Sequence, residues 1–125
     1  MRIHAPTISR ILLGLIFVFF GLNGILQFIP PAPLTEAGLK FMEALKDTGY
    51  LFNLIKVLEI GSGLLLLLNR YVPLSLLLLS PGAVNIFLFH VLLSPAGLPV
   101  ALTIAVLMVL TSVPYWKLFK EFLKP

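Results

Sequence analysis

The sequence predicts an all-α fold: an integral membrane four-helix bundle with a short interfacial helix between the first and second spans. Composition is the first observation behind this. Of 125 residues, 59% are hydrophobic and only 11% charged, against about 25% charged in an ordinary soluble domain. A chain this short has no interior large enough to hide so much apolar surface, so lipid must cover part of it. Four apolar runs form the second observation, each near the roughly 20 residues that cross a bilayer. Third, no alternating apolar–polar pattern appears, which argues against a β-barrel. The length predicts a single membrane domain over residues 1–125.

The first span is expected at about residues 8–28. Its length and its lack of an A-x-A-type cleavage site argue against a removed signal peptide. A stiff Pro30-Pro31-Ala32-Pro33 stretch follows. Thr35 then offers an N-cap and Gly49 a stop, predicting the interfacial helix at about 35–48. There Glu36 and Lys40 stand at the favourable i, i+4 spacing. Ala37, Phe41, Met42 and Leu45 can share an apolar side laid on the membrane surface. The remaining spans are expected at about 50–68, 72–93 and 98–116. Pro73 and Pro99 suit helix starts, where no backbone donor is needed, and Pro81 and Pro114 predict kinks. Asn69–Tyr71 and Ser94–Gly97 read as tight turns, which force antiparallel neighbours. Tyr115–Lys124 mixes aromatic residues with lysines, as expected at a lipid–water boundary.

Four crossings put Arg2, Arg10, Arg70, Lys117, Lys120 and Lys124 on one side. The other side has Lys40 and Lys46, offset by Glu36, Glu43 and Asp47. The positive-inside rule then predicts a multi-pass protein of the inner (plasma) membrane with both termini in the cytoplasm. The net charge of +4 gathers at ends and turns, which reads as orientation and not as nucleic-acid binding. With no cysteine, disulfides, thiolate zinc sites and iron–sulfur clusters are excluded. His4 and His90 fall on opposite membrane sides, so no metal site or intrinsic cofactor is expected.

The polar residues at depth are the informative ones: Asn23, Gln27, Lys56, Glu59, Asn85 and His90. At a rise of about 1.5 Å per residue, Glu59 and Asn85 lie near mid-membrane. Lys56 and Asn23 lie further out, and Gln27 and His90 approach the outer surface. The inner half of the first three spans is almost purely Leu, Ile, Phe and Val, so three helices give polar groups to one outer half. Asn23 and Gln27 share a face at i, i+4. Lys56 and Glu59 do so at i, i+3, and Ser62 and Gly63 extend their stripe. His90 lies about 140° round the helix from Asn85.

A lone charge at the centre of a span costs about 2.5–3.5 kcal/mol on insertion scales. Lys56 and Glu59 can compensate one another, as an ion pair or by sharing a proton. Three readings stay open for this polar layer. It is an internal strut with Asn23 and Asn85 as interhelical glue, a pocket for a quinone or polar-headed lipid, or a proton or ion path. For His90 a snorkelling interface residue competes with a functional one. Gly14, Gly21, Gly24, Gly61 and Gly63 read as close-packing positions.

The runs RILLGLIFVFFGLNGILQFIP, TGYLFNLIKVLE, LLLLLNRYVPLSLLLL and VNIFLFHVLLSPAGLP resemble, in order and over nearly the whole chain, the DoxX-like family of small four-span bacterial membrane proteins. Asn23, Lys56, Glu59, Asn69, Arg70, Asn85 and His90 fall where that family's pattern expects them. Ser80-Pro81-Gly82 is a less typical version of its segment. The family is named after a subunit of an archaeal quinol oxidase and thiosulfate:quinone oxidoreductase system, so the resemblance implies a subunit of a redox-linked, quinone-associated assembly. It carries no catalytic residue set, and whether the chain is an enzyme stays open. Any electron transfer would run through a bound quinone or a partner subunit. Expected ligand-binding residues are therefore Asn23, Gln27, Lys56, Glu59, Asn85 and His90. The expected partners are the lipid bilayer, a quinone or lipid ligand, and a redox subunit or second copy, and no nucleic acid. The alternative is an assembly protein with no ligand, its polar layer only locking the helices.

Overall fold

The computed structural model describes residues 5–30 and 33–125. Six helices follow in order: α1 (Ala5–Leu26), α2 (Glu36–Asp47), α3 (Leu51–Leu68), α4 (Val72–Leu92), α5 (Leu98–Ser112) and α6 (Trp116–Glu121). Among the described residues there is no strand, and four helical segments are long and apolar enough to cross a membrane. The chain is an all-α, multi-pass membrane bundle with a short helix between its first two spans. Pro31 and Ala32 of the proline-rich stretch, together with Arg2 and His4, lie outside the described residues.

The four spans form a ring. α1 packs on α3 and α5, and α4 packs on the same two. We call the end where α1 begins proximal and the opposite end distal. α1 and α3 approach most closely, because glycine removes the side chains between them. A Cβ on Gly14 would lie 2.9 Å from the Gly63 carbonyl oxygen, and one on Gly63 equally close to that of Gly14. Gly21 extends this seam distally, where a Cβ would meet Ile60 at 2.5 Å. Small residues let backbones touch where lipid provides no hydrophobic drive between helices. Gly61 departs from the expectation: nothing lies within 4 Å of its Cβ direction, so it faces outward.

The core is proximal and central, built from Leu13, Phe17, Leu66, Val72, Leu76, Leu79, Ile104 and Leu107. Leu15, Val57, Val84 and Val106 form part of the outward apolar belt, each more than half exposed. The proximal half is less uniformly apolar than its composition predicts. Ser9 of α1 and Thr111 of α5 share a buried hydrogen bond of 3.0 Å. The Arg10 guanidinium donates to the Leu66 carbonyl at the end of α3, where a cation complements the helix dipole. Asn69 closes α3 in the left-handed region (φ 55°). The Arg70 amide bonds Leu65 at 3.0 Å and the Asn69 amide bonds Leu66 at 3.2 Å, the paired bonds of a Schellman ending.

Pro81 sits inside an unbroken α4. Pro114 acts more strongly: Val113–Tyr115 tighten into a 3-10 turn between α5 and α6. Tyr115 and Phe119 still pack on the core. At the distal end, α2 lies across the bundle. The Thr35 hydroxyl accepts from the Gly38 amide at 3.1 Å as the N-cap and donates to Leu93. The Phe41 ring rests 5.4 Å from that of Phe89. Ala37, expected on the apolar side of this helix, is exposed, and Gly38 is the buried residue instead. A side chain at 38 would press on Phe89 and Ser94, both 3.3 Å away.

Candidate functional site

Lys56 and Glu59 stand one turn apart on α3, with Nζ 3.3 Å from Oε2 and side chains only 16% and 11% exposed. Two neighbours hold the lysine. Its methylene stem crosses Gly24 of α1, where a Cβ would come within 2.6 Å of Cε. Glycine at that point is what lets the stem lie against the α1 backbone. Its ammonium stands 5.3 Å from the centre of the Phe52 ring, one turn earlier on α3. Lys46 of α2 places its own ammonium 5.1 Å from the same ring. One aromatic ring therefore joins the buried pair to a surface cation, each contact being favourable through the ring quadrupole.

Beyond Glu59, Ser62 is buried, and its hydroxyl has no hydrogen-bond partner among the described residues. Buried polar groups are almost always bonded, so this hydroxyl is an uncommitted donor and acceptor on the stripe that carries Glu59.

A crevice of about 280 Å³ opens distally beside the pair. Gly24, Ile25 and Gln27 line it from α1, Lys46 from α2, Gly49 and Tyr50 from the linker, and Phe52 and Asn53 from α3. Gly24 and Phe52, the two residues that clasp Lys56, are thus shared between the crevice and the pair. The volume is near the lower end of small-molecule sites, enough for a head group with its tail in lipid. The crevice offers a polar ligand the Lys46 ammonium, the Gln27 and Asn53 amides and the Phe52 ring, with Lys56 and Glu59 lying behind Gly24 and Phe52.

Only part of the expected residue set converges here. Gln27 does reach the crevice, placed there by a left-handed backbone (φ 53°) that ends α1. Asn23 instead turns onto its own connection: its amide donates to the Ile29 carbonyl at 3.2 Å, and its oxygen accepts from the Ile29 amide at 2.9 Å. The Nδ1 of His90 donates to the Ser94 carbonyl at 2.9 Å, and the ring lies against Gly97, leaving no room for a side chain there. Its observed contacts hold the α4–α5 turn and are remote from the pair. Asn85 is exposed on the outer side of α4, with no hydrogen bond among the described residues. The facing of α4 explains that: Val72, Ser75, Leu76 and Leu79 are its buried residues, and Asn85 lies on the other side.

Two contributors went unread in the sequence. Phe52 carries a signal, since it stands i−4 from Lys56 and so shares its face. Lys46 carries none, because its reach to Phe52 depends on how α2 folds back. No group of three His, Asp or Glu among the described residues is placed to hold a metal ion. The chain matches no protein-family model, no curated protein and no solved structure.

Proposed function

We propose that this chain is a DoxX-like protein of the inner membrane, with cytoplasmic termini, that binds the head group of a quinone or lipid in the distal crevice as a subunit of a redox-linked assembly. The observation that carries this reading is the Lys56–Glu59 pair, buried at 3.3 Å and bordered by the two residues that also line a polar crevice. In this reading the Lys56 ammonium donates to a head-group oxygen and Glu59 exchanges protons with it. A quinone taking up two electrons also takes up two protons, and the electrons come from a partner subunit. Gln27, Asn53 and Lys46 line the entrance. The orientation is supported by Arg10, Arg70 and the lysines of the α6 region at the proximal end, against the mixed charges of α2 at the distal end.

The test is co-purification. Wild type, Glu59→Leu and Glu59→Gln are extracted from native membranes, and bound quinone and lipid are quantified by mass spectrometry. We expect at least a tenfold loss of one bound species in Glu59→Leu, with the variant still folded. Equal amounts in all three would overturn the reading.

A second reading has its own support. Asn23 and His90 commit their hydrogen bonds to local turns, as scaffold residues do. If the pair too is only a strut, Lys56→Met with Glu59→Leu retains the cellular function, whereas a binding site loses it.

A further inference from the structure

Asn85 lies in the middle third of α4, a helix of 21 residues, and is exposed with no partner among the described residues. It belongs to an outward seam of Leu74, Leu78, Pro81, Asn85, Leu88 and Leu92, all exposed. These recur in alternating steps of four and three residues, the spacing that lets one helix lie along another. Beside them Gly82 has nothing within 4 Å of its Cβ direction, so a neighbouring backbone can approach closely. The outward hydroxyl of Thr103 on α5 already donates to the Pro99 carbonyl at 2.8 Å. Asn85 is thus a carboxamide at hydrocarbon depth with both its donor and its acceptor free.

We infer that the α4 seam is the interface of a homodimer, two copies related by a two-fold axis along the membrane normal, with the Asn85 side chains bonded to each other. A second copy fits this face for a specific reason. A carboxamide is complementary to itself, donating through its nitrogen and accepting through its oxygen. A two-fold axis normal to the membrane brings the identical group to the identical depth. A phospholipid tail offers neither donor nor acceptor there, and asparagine pairing across membrane helices is a recognised source of association. A single polar residue in an otherwise leucine-rich seam also fixes register. The crevice and the Lys56–Glu59 pair are built from α1, α2, α3 and the α2–α3 linker, with no residue of α4, so this interface stands independently of the ligand proposal.

The chain has no cysteine, so single substitutions report cleanly. Leu78→Cys, Leu88→Cys and, as an off-seam control, Val106→Cys on α5 are oxidised in native membranes and, after purification, in phospholipid vesicles. Disulfide-linked dimer should form at 78 and 88 in both settings, at least tenfold faster than at 106. Adding Asn85→Leu should lower the dimer yield about tenfold at fixed protein-to-lipid ratio, equivalent to about 1.4 kcal/mol. Asn85→Gln keeps the amide and should retain the yield. Equal cross-linking at 106, or a yield unchanged by Asn85→Leu, overturns the proposal. So does a seam that cross-links only to a different protein in native membranes and not to itself in vesicles. Far-ultraviolet circular dichroism checks that Asn85→Leu is folded, and Asn85→Gln decides the matter if it is not.

Discussion

The two ends of the bundle each carry a recess of similar size with opposite linings. Proximally, a groove of about 350 Å³ between α4 and the α5–α6 region is lined by residues such as Leu76, Met108, Val109 and Phe122. Distally, the crevice of about 280 Å³ presents Gln27, Lys46, Tyr50 and Asn53. The contrast extends inward. Proximal Ser9 and Thr111 satisfy each other and Arg10 is spent on a helix end, so polarity there is closed. Level with the core, Ser62 is unsatisfied, and further out the two charges of α3 lie behind Gly24 and Phe52, which line the opening. Hydrophilic groups that are fully paired hold helices together. Those left with spare valence beside a cavity are where a ligand can bind.

Breaking the distal half at its charges should have the largest effect. Lys56→Met or Glu59→Leu alone leaves a nearly buried charge uncompensated, a change that costs about 3–5 kcal/mol in buried pairs. The double replacement should recover most of that, because an apolar pair of similar size is often tolerated. Reversible unfolding in mixed micelles would measure all three. A double variant as weak as either single one would mean the pair binds helices through more than mutual neutralisation.

The α1–α3 seam that supports both halves comes next. Gly63→Val inserts a side chain where the Gly14 carbonyl lies 2.9 Å away, so overpacking of about 1–3 kcal/mol is expected. Gly61→Val, two residues away and facing open space, should stay within about 0.5 kcal/mol. Equal losses at 61 and 63 would show that glycine matters here for backbone flexibility and not for close approach.

The proximal hydrogen bond should register a smaller change. Ser9→Ala leaves the Thr111 hydroxyl buried without that partner, a loss of about 1 kcal/mol. The same unfolding transition reads it. In Ser62→Ala no bond is lost, so stability should hold or rise slightly. A Ser62→Ala loss as large as that of Ser9→Ala would mean that Ser62 is paired, and the contrast between the halves would weaken.

Fold and site were unequally legible. Span number follows from length and apolar composition, quantities that survive any rotation of a helix. Lys56 and Glu59 could be paired because i, i+3 contacts are local. Facing is another matter. α4 carries leucine on every side, so no periodicity reveals that Leu79 points inward and Asn85 outward. Gly61 and Gly63 look alike as letters, and only the neighbour across the gap separates them. The bonds of Asn23 to Ile29 and of His90 to Ser94 depend on how each helix ends, which turn geometry decides. Ser9 and Thr111 lie at opposite ends of the sequence, and nothing local announces their meeting.

The glycine bed under Lys56 bears on how the protein is made. Gly24 belongs to the first span and Lys56 to the next one, so the resting place leaves the ribosome ahead of the charge it will hold. The lysine can leave the insertion machinery with its stem against peptide rather than acyl chain, as one arm of a helical hairpin. Filling that bed would then be felt during biogenesis, as a segment stalled at the threshold of the membrane, before any finished molecule existed to unfold.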